Sequence, residues 1–116
     1  MPEKKTILVI DDDKGVRELL KEFLKLYGFE AYSIDSGISA LNLLKNKYFD
    51  IIITDYSMPE MNGIELTRLI KAQYPNVSII GMSGNCEGLD FLEAGADAFL
   101  SKPPQLHELL CLCCSK

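Results

Sequence analysis

Three consecutive aspartates, Asp11, Asp12 and Asp13, close the apolar run Thr6 to Ile10, and a fourth, Asp55, closes the run Ile51 to Thr54. If the two runs are neighbouring strands these carboxylates meet, and two like charges about 4 Å apart repel by roughly 4 kcal/mol at an effective dielectric of about 20. A cation resolves that cost. All-oxygen ligands select a hard ion, and Mg2+ characteristically takes one or two carboxylates, keeps several waters and completes its shell with a phosphate oxygen. Two further side chains suit the same anion: Ser83, after the run Val77 to Met82, offers a hydroxyl, and Lys102, after Ala98 to Ser101, offers a mobile ammonium. A carboxylate nucleophile, a divalent ion, a lysine and a hydroxyl are what phosphoryl transfer to an aspartate requires, because that chemistry is mostly positioning and charge neutralisation.

Such a site exists only if the chain brings these distant segments to one edge. The runs Thr6 to Ile10, Ile51 to Thr54 and Val77 to Met82 are short and β-branched, as expected for strands of a parallel sheet covered on both faces, and Glu30 to Ile34 and Ala98 to Ser101 are weaker strand signals. Between them lie helical patterns. Val16, Leu19, Leu20, Phe23, Leu24 and Tyr27 form one apolar stripe that Gly28 ends, and Leu66, Leu69, Ile70 and Tyr74 form another that stops before Pro75. Ser36 and Gly37 open a helix to about Lys47, and Leu106, Leu109, Leu110, Cys113 and Cys114 give a last stripe.

Strand and helix thus alternate five times, which implies an α/β fold with a parallel sheet. Right-handed crossovers and the need to cover both faces make the flavodoxin-like, doubly wound five-stranded order 2-1-3-4-5 the leading topology. The order reverses between strands 1 and 3, so the residues that end those strands should face a common crevice. Here they are acidic.

With 116 residues, 47% of them hydrophobic, the chain is expected to form one domain over residues 1–116. A net charge of −5 argues against binding a nucleic acid backbone, which needs clustered Lys and Arg. No apolar stretch approaches the roughly 20 residues that span a bilayer, so a cytoplasmic protein with no membrane partner is expected. The four cysteines, Cys86, Cys111, Cys113 and Cys114, fit neither a paired C-x-x-C zinc site nor a disulfide framework, and reduced thiols are expected.

The IDDD end of the first strand, the segment TDYSMPEMNGIEL, Ser83 after VSIIGM and the segment LSKPP together resemble a response-regulator receiver domain over essentially the whole chain. The resemblance implies a phosphoacceptor at Asp55, a Mg2+ site formed by Asp11, Asp12, Asp55 and the backbone carbonyl of Ser57, and Lys102 paired with the acyl phosphate. It implies that Ser83 swings to bond the phosphoryl group while Phe99, at the family's switch-aromatic position, turns inward. Ser57 and Asn85 occupy positions that tune the lifetime of the phospho-aspartate, and the Lys102–Pro103 bond is commonly cis in relatives. The implied donor is a phosphohistidine on a sensor histidine kinase or phosphotransfer protein. The implied product is a switched protein-interaction surface, with dimerisation on phosphorylation left open and the downstream target unidentified. Such a domain catalyses its own phosphorylation and dephosphorylation and is not a turnover enzyme on an external substrate.

One departure stands out: the stretch from Ser83 to Lys102 is shorter than in relatives and holds Gly84 and Gly88, so the fourth helix is expected to be short or unformed. Blander roles stand beside the chemical ones. Asp13 reads as a helix N-cap, Ser83 as either a cap or a phosphate contact, and Pro59 and Gly63 as loop punctuation without chemistry. Cys113 and Cys114 read as packing residues, Cys86 and Cys111 as exposed, and His107 as a surface residue without a second ligand at metal spacing.

Two other functions compete. A haloacid-dehalogenase-like phosphatase would use Asp11 and Asp13 as a D-x-D pair, but Lys14 and Gly15 do not match its pattern and the chain has no room for its cap. A receiver-like module that binds partners without phosphorylation should have lost an acid, the lysine or the hydroxyl, and none is lost. A free-standing regulator is therefore the expectation.

Overall fold

A computed structural model describes residues 4–85 and 87–114. Strand β1 (Thr6–Ile10) leads into helix α1 (Lys14–Leu26), β2 (Glu30–Ile34) into α2 (Gly37–Leu44), β3 (Ile51–Asp55) into α3 (Gly63–Gln73), β4 (Ser78–Ser83) into α4 (Gly88–Glu93), and β5 (Ala98–Ser101) into α5 (Leu106–Cys114). The strands form one parallel sheet in the order β2-β1-β3-β4-β5, the topology expected from the alternation of elements. Register pairs Ile10 with Thr54, Asp55 with Met82, and Ser83 with Ser101. The acidic ends of β1 and β3 are therefore adjacent, with Ser83 and Lys102 following on the same edge.

Side chains alternate across the sheet and make two cores. Ile7, Val9, Ile51, Ile53, Ile80 and Met82 pack on one face under Leu20 and Leu24 of α1 and Leu109 and Cys113 of α5. Leu8, Ile10, Ile52 and Ile79 pack on the other face under residues of α2, α3 and α4. Strands buried on both faces need apolar residues throughout, which is why β1 and β3 read as unbroken apolar runs.

The helix ends follow local chemistry. Asp13 caps α1, accepting from the N–H groups of Gly15 (2.8 Å) and Val16 (3.2 Å), as the N-cap reading of the sequence required. At the other end Gly28, at φ +93°, takes a conformation costly for other residues, and its N–H bonds Lys25 while that of Phe29 bonds Leu24. Asn62 and Glu65 form a reciprocal capping box on α3.

Differences from the sequence reading lie mostly at element ends and helix rims. Strand β4 begins at Ser78 rather than Val77 and runs to Ser83, and α2 stops at Leu44, short of Lys47. Helix α4 is short, as expected, with six residues. Leu19 is exposed because it lies about 100° around α1 from Leu20, and Tyr27 because it sits in the C-cap beyond the last turn. On α3, Ile64 and Thr67 are buried and Leu69 is exposed. Cys114 is exposed, so the packing role holds for Cys113 alone. Cys111 is exposed as expected, whereas Cys86 lies outside the described residues.

Candidate functional site

Parallel pairing of β1 with β3 sets Asp11 and Asp12 beside Asp55, and carboxylate oxygens of the three lie within 4.8 Å of one another. Asp11 is fully buried and Asp55 is 5% exposed, while Asp12 faces solvent. Local bonds fix Asp11: its Oδ1 accepts from the Asp13 N–H at 2.9 Å, and its backbone carbonyl accepts from Arg17 Nη1 at 2.9 Å. The ammonium of Lys102 reaches in from the end of β5, 2.9 Å from Asp11 Oδ2 and 3.2 Å from Asp55 Oδ1.

One ammonium does not cancel this much negative charge. Burial, then the charge of Asp11, pushes the Asp55 carboxyl above its ordinary pKa despite the opposing pull of Lys102. Burial opposes the charge on Lys102, but its hydrogen bond to Asp11 and the charges of Asp11 and Asp55 outweigh that and hold it above its ordinary value. The crevice thus has an excess of oxygen donors and a deficit of positive charge. Both properties fit a hard divalent cation, and the donor set is of the kind Mg2+ takes.

Ser83 ends β4 and is 2% exposed. Its Oγ accepts from the Asn85 N–H at 3.1 Å and donates to Glu87 Oε1. It caps no helix, since Glu87 occupies the N-cap position of α4. Between Ser83 and Lys102 the backbone is tied directly: the Lys102 N–H donates to the Ser83 carbonyl at 2.9 Å. The Lys102–Pro103 peptide is cis, as the resemblance implied. Phe99 is half-buried, its ring centroid 6.1 Å from that of Phe91. Ser57 and Asn85 are both exposed.

Three residues acquire a role here that sequence reasoning did not give them. Gly63 is more than loop punctuation: a β-carbon there would meet the Asp55 carbonyl oxygen at 2.2 Å, so only glycine lets the turn into α3 close against the end of β3. Arg17 braces the backbone of Asp11, one helical turn beyond the N-cap. Glu87 holds Ser83 across the turn between β4 and α4, a contact that residue types alone do not signal. His107 is exposed as expected but not isolated, since its Nε2 lies 3.8 Å from Cys111 Sγ one turn along α5.

The family model described as response regulator receiver domain matches residues 7–112. A probable transcriptional regulatory protein of Picosynechococcus is 34% identical over 95% of this chain and 48% of its own length. Sensor protein EvgS of Escherichia coli is 36% identical over 94% of this chain and 9% of its own length. The chain therefore spans half or less of these two relatives. A crystal structure of a response regulator receiver protein from Pseudomonas putida superposes with a TM-score of 0.93 at 32% identity, covering 100% of both chains. A five-stranded parallel sheet in the order 2-1-3-4-5, an acidic crevice at the ends of β1 and β3, and a family match over nearly the full length converge: this chain belongs to the response regulator receiver domain family.

Proposed function

We propose that this chain, as one domain over residues 1–116, is a phosphorylation switch whose acceptor is Asp55. The observation that carries the proposal is the Lys102 ammonium lying between Asp11 and Asp55 beside a third carboxylate. In the proposed step an Asp55 carboxylate oxygen attacks the phosphorus of a phosphohistidine on a sensor histidine kinase or phosphotransfer protein. The P–N bond breaks, and the imidazole nitrogen leaves with the bonding pair. Lys102, whose ammonium lies 3.2 Å from Asp55 Oδ1, stabilises the charge that develops on the phosphoryl oxygens.

Asp11, Asp12, Asp55 and the Ser57 carbonyl are the groups that would hold Mg2+. When bound, the ion neutralises the charge shared by these carboxylates and the phosphoryl oxygens. Ser83 then donates its hydroxyl to a phosphoryl oxygen, and Phe99, packed beside Phe91 of α4, carries the change to the surface. Ser57 and Asn85, two residues beyond Asp55 and Ser83 and both exposed, set how readily water reaches the acyl phosphate.

The chain so described catalyses its own phosphorylation and dephosphorylation and turns over no external substrate. Among the described residues no helix is long and apolar enough to cross a membrane. We place the protein in the cytoplasm, acting through protein contacts rather than through nucleic acid.

Intact-mass analysis after incubation with acetyl phosphate tests the proposal. A single phosphoryl adduct that needs Mg2+ and is absent from Asp55→Asn supports it. An adduct that survives in Asp55→Asn moves the acceptor elsewhere, and none from either acetyl phosphate or a phosphohistidine donor removes the reading.

A further inference from the structure

Ser83 has one hydroxyl proton, and in this structure it is committed. The hydroxyl donates to Glu87 Oε1 while its oxygen accepts from the Asn85 N–H at 3.1 Å. A phosphoryl group on Asp55 can receive that proton only if Glu87 gives it up. Glu87 itself stands where a helix N-cap should be, yet its side chain makes no capping bond to α4. The carboxylate is engaged with Ser83 instead, a local rule broken in favour of a contact with the proposed switch residue.

The contact also lies on the route to Phe99. Glu87 accepts from the Phe91 N–H through its backbone carbonyl at 3.0 Å. Gly88, the next residue, lies against the Phe99 ring, where a β-carbon would come within 2.8 Å of Cδ2. Phe91 in turn stacks beside Phe99 at 6.1 Å between centroids and fills the space over Gly81 in β4. Whatever moves Glu87 moves the start of α4 and the residues that hold Phe99 in place.

We propose that Glu87 is a latch on the switch: its carboxylate competes with the phosphoryl group for the Ser83 hydroxyl and holds α4 and Phe99 in the unphosphorylated arrangement. The proposal rests on the phosphoacceptor reading of Asp55 and adds to it a positioning residue that sets how strongly the resting state is favoured. A hydrogen bond to a charged acceptor is stronger than one to a neutral acceptor, so a carboxylate makes a firmer latch than an amide. Because Glu87 does not cap α4 through its side chain, removing it releases Ser83 without uncapping the helix.

The test is a titration of Mg2+-loaded protein with beryllofluoride, a phosphoryl mimic, followed by amide NMR on wild type, Glu87→Ala, Glu87→Gln, Ser83→Ala and the double variant Ser83→Ala/Glu87→Ala. Glu87→Ala should bind roughly fivefold tighter than wild type and Glu87→Gln should fall between them, as expected for loss of a competing hydrogen bond. In the Ser83→Ala background removal of Glu87 should change affinity by less than about twofold, because the latch acts through the hydroxyl. Equal tightening in both backgrounds would mean that Glu87 acts only as a nearby negative charge and overturns the latch, as does unchanged or weaker binding by Glu87→Ala. Absence of binding by folded wild type is a separate outcome, which overturns the Asp55 reading and the latch together. Dispersed amide spectra for each variant establish that it is folded.

Discussion

A β-carbon on Gly63 would stand 2.2 Å from the backbone carbonyl oxygen of Asp55. The turn into α3 and the end of β3 touch at this point, and the Gly63 N–H donates to the Tyr56 carbonyl at 3.0 Å to hold them there. Thr67, one turn on, bonds the Gly63 carbonyl through its hydroxyl at 2.7 Å.

Gly63→Ala should therefore destabilise the fold by about 2 kcal/mol or more, since the obstructing atom is backbone and not a side chain that can swing away. Urea unfolding followed by circular dichroism checks this. Gly28→Ala makes an informative comparison, because Gly28 is required by its positive φ and not by crowding, with nothing within 4 Å of a β-carbon. Its cost should be only that of the left-handed conformation, about 1–2 kcal/mol.

Asp55 couples stability to pH. Burial and the charge of Asp11 raise its pKa above the ordinary 3.8, so the folded chain holds the proton at pH values where the unfolded chain has lost it. The resulting stability is fully present below the unfolded value and is lost as pH rises through the folded one. Above that window ionising the buried carboxyl is a burden in metal-free protein. Asp55→Asn should unfold at higher urea than wild type at pH 7 without Mg2+, and the advantage should fade as pH approaches about 4. An advantage independent of pH would assign the effect to packing instead.

Lys102 carries the opposite expectation. Removing its ammonium strands the fully buried Asp11 carboxylate, which it meets at 2.9 Å, and breaking a buried pair costs on the order of 3 kcal/mol. Lys102→Met should lose that much stability in metal-free buffer. Mg2+ should then raise the melting temperature of the variant more than that of wild type, because the ion replaces the missing positive charge. Differential scanning fluorimetry across a Mg2+ titration reads both effects.

The cysteines of α5 should separate by reactivity. Cys113 is buried and its thiol is pushed up to about 12, first by burial and then by the neighbouring Cys114, whereas Cys111 and Cys114 are exposed. Iodoacetamide at pH 8 should alkylate Cys111 and Cys114 in the native protein and reach Cys113 only on unfolding, as peptide mapping would show. Since the folded Cys113 pKa lies above the ordinary 9.0, its contribution to stability is lost as pH rises from about 9 towards about 12.

The amino-acid order alone determined the alternation of elements, because a strand covered on both faces must be apolar throughout and a helix must repeat at offsets of three and four. From that alternation the sheet order followed, and with it the meeting of Asp11, Asp12 and Asp55 at one edge beside Ser83 and Lys102. The cap at Asp13 and the stop at Gly28 were equally legible, being properties of a few neighbouring residues. Contacts between segments were not. That Gly63 must be glycine depends on how closely the α3 turn approaches β3, and that Cys113 is buried while Cys114 is exposed depends on the roll of α5 against the sheet. The bond from Ser83 to Glu87, although only four residues long, needed the path of the chain between β4 and α4, which residue types leave open. Periodicity reports which side of an element faces the core. Only the packed chain decides which atoms meet there, because a close approach is a property of two backbones in space and leaves no pattern in either one.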